Sequence, residues 1–182
     1  VTNPGDEIVA FAPCFSEYRP YTAGAGLILK IVPADMNTFQ INFDEFINVL
    51  NKNVTAVLIN TPNNPSGIVL SSSTIRKLAE ILEQKQKEFG HPIYLISDEP
   101  YREILFKGAD ASYVSKFYNN TISCYSFSKS LSLPGERIGY LAVHPSADNA
   151  DQIIEICPQI SRTIGHNGCA TLMQLAVAEC IE

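Results

Sequence analysis

The stretch Cys124–Tyr140 reads CYSFSKSLSLPGERIGY, and it combines a lysine, several hydroxyl groups and an arginine. Ser126 lies three residues before Lys129, and Arg137 follows eight residues after that lysine. A buried ammonium is costly unless it is paired or used chemically, and desolvation favours the neutral amine, which attacks carbonyl carbons. The Arg137 guanidinium is a planar fork suited to phosphate. The stretch therefore predicts a site for an aldehyde that carries a phosphate, although the lysine alone also fits a surface residue after a strand.

Composition indicates one globular domain. The 182 residues are 46% hydrophobic and 18% charged, which is enough apolar material for a core. The net charge of −6 argues against a nucleic-acid partner, and no apolar run reaches the length of a membrane span. The five cysteines include no CxxC pair, so we expect reduced thiols rather than a metal site or a disulfide frame. With no signal peptide evident at the start of the chain, these features predict a cytoplasmic protein.

Hydrophobic patterns predict strands that alternate with helices. The predicted strands are Glu7–Phe11, Leu27–Val32, Val54–Asn60, Ile93–Ile96, Thr121–Phe127 and Ile138–Val143. Helices are predicted from Ser16, over Glu45–Leu50, after the serine cluster 71–73, and over Ala147–Cys157 and Cys169–Ile181. This alternation predicts an α/β fold, a three-layer αβα domain with a mainly parallel sheet.

Three polar segments follow predicted strands, at Asn60–Gly67, Asp98–Tyr101 and Ser126–Lys129. Ligands of such folds bind beyond the carboxyl ends of the strands, so we expect these segments to converge. Each segment also has a simpler interpretation. The first fits a crossover turn, and a strand-end aspartate such as Asp98 is commonly a helix cap or half of a structural ion pair.

Together these segments resemble the fold-type I pyridoxal-phosphate enzymes, the aspartate aminotransferase superfamily, class I/II. The family patterns are Asn-x-Pro-x-Asn-Pro-[Ser/Thr]-Gly, then Asp-x-x-Tyr, then Ser-x-x-Lys followed by Arg-x-Gly. All occur here in that order, and Phe15 falls where the family has an aromatic residue. The resemblance covers nearly the whole chain and is most specific from Asn3 to Val143.

The resemblance implies a role for each matched residue. Lys129 would hold pyridoxal 5'-phosphate as an imine and later move a proton as general base and acid. Asp98 would keep the pyridine nitrogen protonated, which makes the ring an electron sink. Asn64 and Tyr101 would share the phenolic oxygen of the cofactor. The catalytic set is then Lys129, Asp98 and Tyr101, and no metal is expected.

The remaining matches concern the phosphate and the ring. Ser126 and Arg137 would hold the phosphate, and Phe15 would stack on the pyridine ring without the polar group of a tyrosine.

The resemblance predicts an aminotransferase that acts on an amino acid and a 2-oxo acid. Two other classes stay open: a lyase or synthase on the same scaffold, and a non-enzymatic regulator with an aminotransferase-like domain. Family members are longer, so residues 1–182 are interpreted as the large cofactor-binding domain without its N-terminal segment and C-terminal small domain. We therefore expect this chain alone to be inactive and the full-length protein to be a homodimer.

Overall fold

The computed structural model describes residues 1–181, so Glu182 of the predicted domain lies outside the described residues. Its strands are β1 (Glu7–Phe11), β2 (Ile28–Val32), β3 (Val54–Asn60), β4 (Tyr94–Asp98), β5 (Thr121–Ser126) and β6 (Gly139–Val143). Its helices are α1 (Tyr18–Gly24), α2 (Phe43–Val49), α3 (Ser72–Phe89), α4 (Phe127–Ser130), α5 (Ala150–Thr163) and α6 (Thr171–Cys180). Short 3₁₀ turns cover Val114–Lys116 and Pro134–Glu136.

The strands form one sheet in the order β2-β1-β3-β4-β5-β6. The first five strands run parallel, and β6 pairs antiparallel with β5. Asn60 pairs in register with Asp98, and Asp98 pairs with Cys124. The carboxyl ends of β3, β4 and β5 therefore meet at one edge of the sheet, as the sequence predicted.

Apolar side chains cover both faces of the sheet. On one face, Val57 and Leu95 pack with Phe46 of α2 and with Ile75 and Leu82 of α3. A smaller cluster on the other face contains a buried residue of α5; its members are Ile8, Ala56, Tyr94, Ile122 and Ile153. This arrangement confirms the predicted three-layer α/β class with a mainly parallel sheet.

Local sequence explains the bounds of α3. The Ser71 hydroxyl accepts a hydrogen bond from the Thr74 amide, which satisfies a free donor at the helix start. Gly90 ends the helix in the left-handed conformation that glycine adopts at little cost. The buried residues between them recur at helical spacing, as the sequence predicted; they are Ile75, Leu78, Ala79 and Leu82.

Several element boundaries differ from the sequence prediction, and two of these differences have a local explanation. The strand predicted through Phe127 ends at Ser126, because the chain turns there into the four-residue helix α4. Helix α5 continues past Cys157 and through Pro158 to Thr163. A proline removes the hydrogen bond to the carbonyl four residues earlier, here Ile154. Ile154 is exposed, so water can bond that carbonyl and the helix need not end.

Among residues 1–181, none of the helices combines the length and the hydropathy that crossing a bilayer requires.

Candidate active site

A cavity of about 310 Å³ opens at the edge of the sheet where the carboxyl ends of β3, β4 and β5 meet. Asn60, Pro100, Ser128 and Pro134 contribute to its wall. The same wall includes all seven residues that the sequence predicted for the site, which are Phe15, Asn64, Asp98, Tyr101, Ser126, Lys129 and Arg137. The fold thus brings together residues that span more than a hundred positions of the chain.

The loop after β3 presents Asn64 to the cavity. Asn60 is buried at the end of the strand; its side-chain amide donates to the Asp98 carbonyl at 2.8 Å and accepts from the Asn64 amide at 2.6 Å. The loop closes where Gly67 donates to the Asn63 carbonyl at 2.8 Å. Gly67 has a φ of 72°, a region that side chains other than glycine rarely adopt. The motif residues therefore hold the loop in a defined shape.

Asn64 and Tyr101 lie close enough to act on one ligand atom. The Nδ2 atom of Asn64 is 3.3 Å from the Tyr101 hydroxyl, to which it donates. The Lys129 Nζ atom lies 5.8 Å from the centre of the Tyr101 ring. Lys129 is exposed in this structure, and not buried as its serine-flanked stretch suggested. Within residues 1–181, no hydrogen bond or ion pair engages its Nζ atom, and the residue borders the cavity.

Asp98 is a largely buried carboxyl group at the end of β4. Its Oδ2 atom accepts a hydrogen bond of 2.6 Å from the Tyr18 hydroxyl. Burial raises the pKa of Asp98 above its ordinary value, and the Tyr18 hydrogen bond acts in the opposite direction. No basic side chain of the described residues forms an ion pair with Asp98. A cationic ligand in the cavity would supply the missing counter-charge.

Helix α4 carries Lys129 on a short turn held from both ends. Ser126 caps the turn, since its hydroxyl accepts from the Ser128 amide at 3.2 Å. At the other end, the Tyr125 hydroxyl bonds the Ser130 hydroxyl at 2.7 Å and donates to Glu103 at 2.6 Å. The turn therefore places Lys129 by contacts to residues on both sides of it.

Arg137 lies where the 3₁₀ turn meets β6. Its backbone is left-handed, with a φ of 51°, and its guanidinium donates to the Pro134 carbonyl at 2.8 Å. That is the only hydrogen bond of the guanidinium within residues 1–181, so its remaining donors are available to an anion in the cavity.

Phe15 follows β1 in a loop that leads into α1. Its ring contacts the ring of Tyr18 edge-on, with centres 5.7 Å apart. Phe15 thus forms one wall of the cavity and packs against the residue that bonds Asp98.

Sequence reasoning missed two features around the site. Tyr18 was expected only to lie in a helix, because nothing in the sequence links it to Asp98, eighty residues away. Glu99, which directly follows Asp98 in the chain, forms an ion pair with Arg102 and is only 2% exposed. The position of Glu99, directly after a buried strand, was a signal that this side chain is buried. The sequence did not identify Arg102 as its partner, because a spacing of three residues predicts a contact only within a regular helix.

Comparison with known proteins identifies the family. The model of the family described as "Aminotransferase class I and II" matches residues 1–182. The chain belongs to this family. Members of the family are pyridoxal-phosphate-dependent.

Curated aminotransferases with different names match over most of the chain. The aspartate aminotransferase of Thermotoga maritima is 33% identical over 76% of this chain. The arginine–pyruvate transaminase of Pseudomonas aeruginosa is 32% identical over 80% of it, and the methionine aminotransferase of Escherichia coli 31% over 81%. The matched parts are 36%, 36% and 37% of those proteins, so the chain spans little more than a third of their length.

Solved structures of the family share the fold. An aminotransferase from Eubacterium rectale superposes with a TM-score of 0.92 at 45% identity, over 96% of this chain and 44% of that one. The aspartate aminotransferase of Thermotoga maritima superposes with a TM-score of 0.81 at 27% identity, over 97% of this chain and 44% of that one.

The side chains of this aminotransferase-family chain fit the cofactor of the family. A buried carboxylate with no cationic partner, Asp98, suits a protonated ring nitrogen. Asn64 and Tyr101 carry polar hydrogens suited to a phenolate oxygen, and Arg137 retains free donors for a phosphate. Lys129 presents the amine that an aldehyde requires.

Proposed function

We propose that the protein carrying this chain is a pyridoxal-phosphate-dependent aminotransferase that moves an amino group between an amino acid and a 2-oxo acid. One observation supports this proposal: three functional groups border the same cavity. They are the amine of Lys129, the largely buried carboxyl group of Asp98 and the exposed guanidinium of Arg137. When bound, the cofactor supplies an electron-accepting ring that stabilises negative charge on a substrate carbon.

Lys129 has two tasks in this proposal. Its Nζ atom would hold the cofactor through the aldehyde carbon, which is a role that a lysine amine bordering the cavity can take. As a free amine, the same Nζ atom would accept and return a proton as general base and acid. The α4 turn places this amine 5.8 Å from the centre of the Tyr101 ring.

The other cavity residues bind and orient. Asp98 would keep the ring nitrogen protonated by its negative charge, and the Asn64–Tyr101 pair, already hydrogen-bonded to each other, would donate to the phenolic oxygen. Ser126 and Arg137 would hold the phosphate, and Phe15 would cover a ring face and exclude water from it.

Three wider proposals concern the whole protein. Residues 1–182 form the large cofactor-binding domain, an assignment supported by the match to about two fifths of the Eubacterium rectale chain. The protein is a homodimer, supported by apolar side chains that this domain leaves exposed on α6, such as Leu172 and Leu175. It acts in the cytoplasm, supported by five cysteines that are all free.

The experiment is an assay of the full-length protein with the cofactor and a panel of amino acids paired with 2-oxo acids. A panel is needed because relatives of nearly equal identity carry the names of aspartate, arginine and methionine enzymes. We expect one new amino acid to form for each amino acid consumed, without release of ammonia. Elimination or condensation products would instead indicate a lyase or synthase on this scaffold, and a protein that binds the cofactor but forms no product would indicate a regulator.

A further inference from the structure

The carboxyl group of Asp98 has one side-chain partner among residues 1–181. The Tyr18 hydroxyl donates to its Oδ2 atom at 2.6 Å, and no other side-chain hydrogen bond or ion pair engages the carboxyl group within residues 1–181. Asp98 lines the cavity, and its Oδ1 atom has no partner in the described part of the chain. One oxygen is therefore held by the protein, and the other is left for a ligand.

Tyr18 is itself well fixed. It is 6% exposed and begins helix α1, where its amide donates to the Phe15 carbonyl at 3.3 Å. Its ring contacts the Phe15 ring edge-on, and its carbonyl accepts from the Thr22 hydroxyl at 2.8 Å. A donor with so little freedom fixes the rotation of the carboxyl group that accepts from it.

The electrostatic surroundings of Tyr18 and Asp98 also favour the Tyr18 hydroxyl as donor and the Asp98 carboxyl group as acceptor. The pKa of Tyr18 lies far above its ordinary value, because of burial and the neighbouring Asp98, so its hydroxyl remains a donor at physiological pH. The other titratable groups that act on Tyr18 are Cys14 and Cys124, and burial raises the pKa of both thiols. Neither brings a positive charge. Among residues 1–181, the Tyr18 hydroxyl is the group whose hydrogen bond opposes the effect of burial on the pKa of Asp98.

We propose that Tyr18 is a positioning residue, whose hydroxyl orients the Asp98 carboxylate toward the ring nitrogen of the cofactor. This inference rests on the proposed function, since it assigns a role toward the same cofactor. Tyr18 is not part of the family motifs. It connects two residues of the cavity, because its ring contacts Phe15 and its hydroxyl bonds Asp98.

The experiment compares Tyr18→Phe with Tyr21→Phe in the full-length protein. Tyr21 lies one turn later on α1 and is 66% exposed, so its variant controls for loss of a hydroxyl from the same helix. A hydrogen bond to a charged group contributes enough that its loss should weaken cofactor affinity by about 10- to 100-fold. We expect that loss for Tyr18→Phe, with an altered pH dependence of the cofactor absorbance, and no change for Tyr21→Phe.

A double-mutant cycle with Asp98→Ala separates positioning from packing. If Tyr18 acts through Asp98, Tyr18→Phe has little further effect on affinity or spectrum in the Asp98→Ala background. Full additivity would overturn the proposal, and so would wild-type affinity and spectrum in Tyr18→Phe. If Tyr18→Phe does not fold, 3-fluorotyrosine placed at position 18 keeps the ring and changes the acidity of its hydroxyl. An unchanged spectral titration of that protein would then overturn the proposal.

The outcome is distinguishable from failure of the proposed function. Absence of a cofactor–lysine bond and of amino transfer in the wild type would contradict the function itself. A wild type that binds cofactor and transfers amino groups, with a Tyr18→Phe variant that is indistinguishable from it, would contradict only the role of Tyr18.

Discussion

Gly139 lies so close to the backbone of Tyr125 that a Cβ atom at position 139 would overlap the Tyr125 carbonyl oxygen. The same Cβ would lie 3.1 Å from the Cα atom of Ser126, with which Gly139 pairs across β5 and β6. The glycine of the Arg-x-Gly motif is therefore required by the close approach of two strands. Arg137 precedes this glycine by two residues, and both Arg137 and Ser126 line the cavity.

We expect Gly139→Ala to lower the free energy of unfolding by about 1–3 kcal/mol, because backbone atoms must move to admit the methyl group. Gly135→Ala is the matched control, since a Cβ at position 135 meets nothing within 4 Å. Its effect should stay within about 0.5 kcal/mol. Urea unfolding of both variants measures the difference, and equal stability would contradict the steric explanation.

Lys129 should be the residue that bonds the cofactor. Borohydride reduction of the cofactor-loaded full-length protein, followed by peptide mapping, should label Lys129 alone. Its amine borders the cavity, whereas Lys77 lies over the Phe43 ring, with its Nζ atom 4.4 Å from the ring centre. A label on Lys30, Lys77 or Lys116 would refute the assignment, and Lys129→Ala should abolish the label while the protein stays folded.

Asp98→Ala should slow proton transfer without preventing the covalent bond between Lys129 and the cofactor. Removal of one partner of a buried ion pair costs about 3–5 kcal/mol. That cost corresponds to a fall in kcat of about two to four orders of magnitude. Steady-state kinetics measures the slower turnover, and borohydride trapping tests whether the covalent bond to Lys129 still forms. Near-normal turnover would show that Asp98 is a structural residue.

Asp98→Asn should make the protein without cofactor more stable at neutral pH. Burial raises the folded-state pKa of Asp98, so folding favours its protonated form. The contribution of Asp98 to stability is therefore greatest below its unfolded-state pKa and falls as the pH rises through the folded-state value. An amide does not titrate, so the gain should vanish in acid. Asp110→Asn, at an exposed position, is the control, and thermal unfolding across pH provides the measurement. A gain that is equal at acid and neutral pH would contradict this account.

The buried ion pair between Glu99 and Arg102 should matter far more to stability than an exposed pair. Arg102→Met leaves the Glu99 carboxyl group, which is 2% exposed, without its partner, and loss of one partner of a buried ion pair costs about 3–5 kcal/mol. Lys85→Met breaks the pair with Glu88, where the glutamate side chain is 53% exposed, and pairs of that kind contribute at most about 1 kcal/mol. Denaturant unfolding should separate the two variants, and similar losses would mean that water reaches Glu99.

Much of this molecule could be predicted from local patterns. The alternation of apolar runs and helical spacing predicted the α/β class, because burial on a sheet or on one helix face imposes a fixed period on the sequence. The polar segments after Asn60, Asp98 and Ser126 predicted a site at one edge of the sheet, since parallel strands end on the same side. Local periodicity carries no such information about the end of a strand, and the turn into α4 at Phe127 was therefore missed.

The sequence by itself determined the order of elements, the turn chemistry and the motif residues, because each depends on neighbours within a few positions. Only the tertiary structure decided that Tyr18 bonds Asp98 and that Gly139 must lack a side chain beside Tyr125. These are contacts between segments 80 and 14 positions apart, formed when the sheet brings the segments together. A contact of that kind follows from packing in three dimensions, and it imposes no period or spacing by which the sequence would show it.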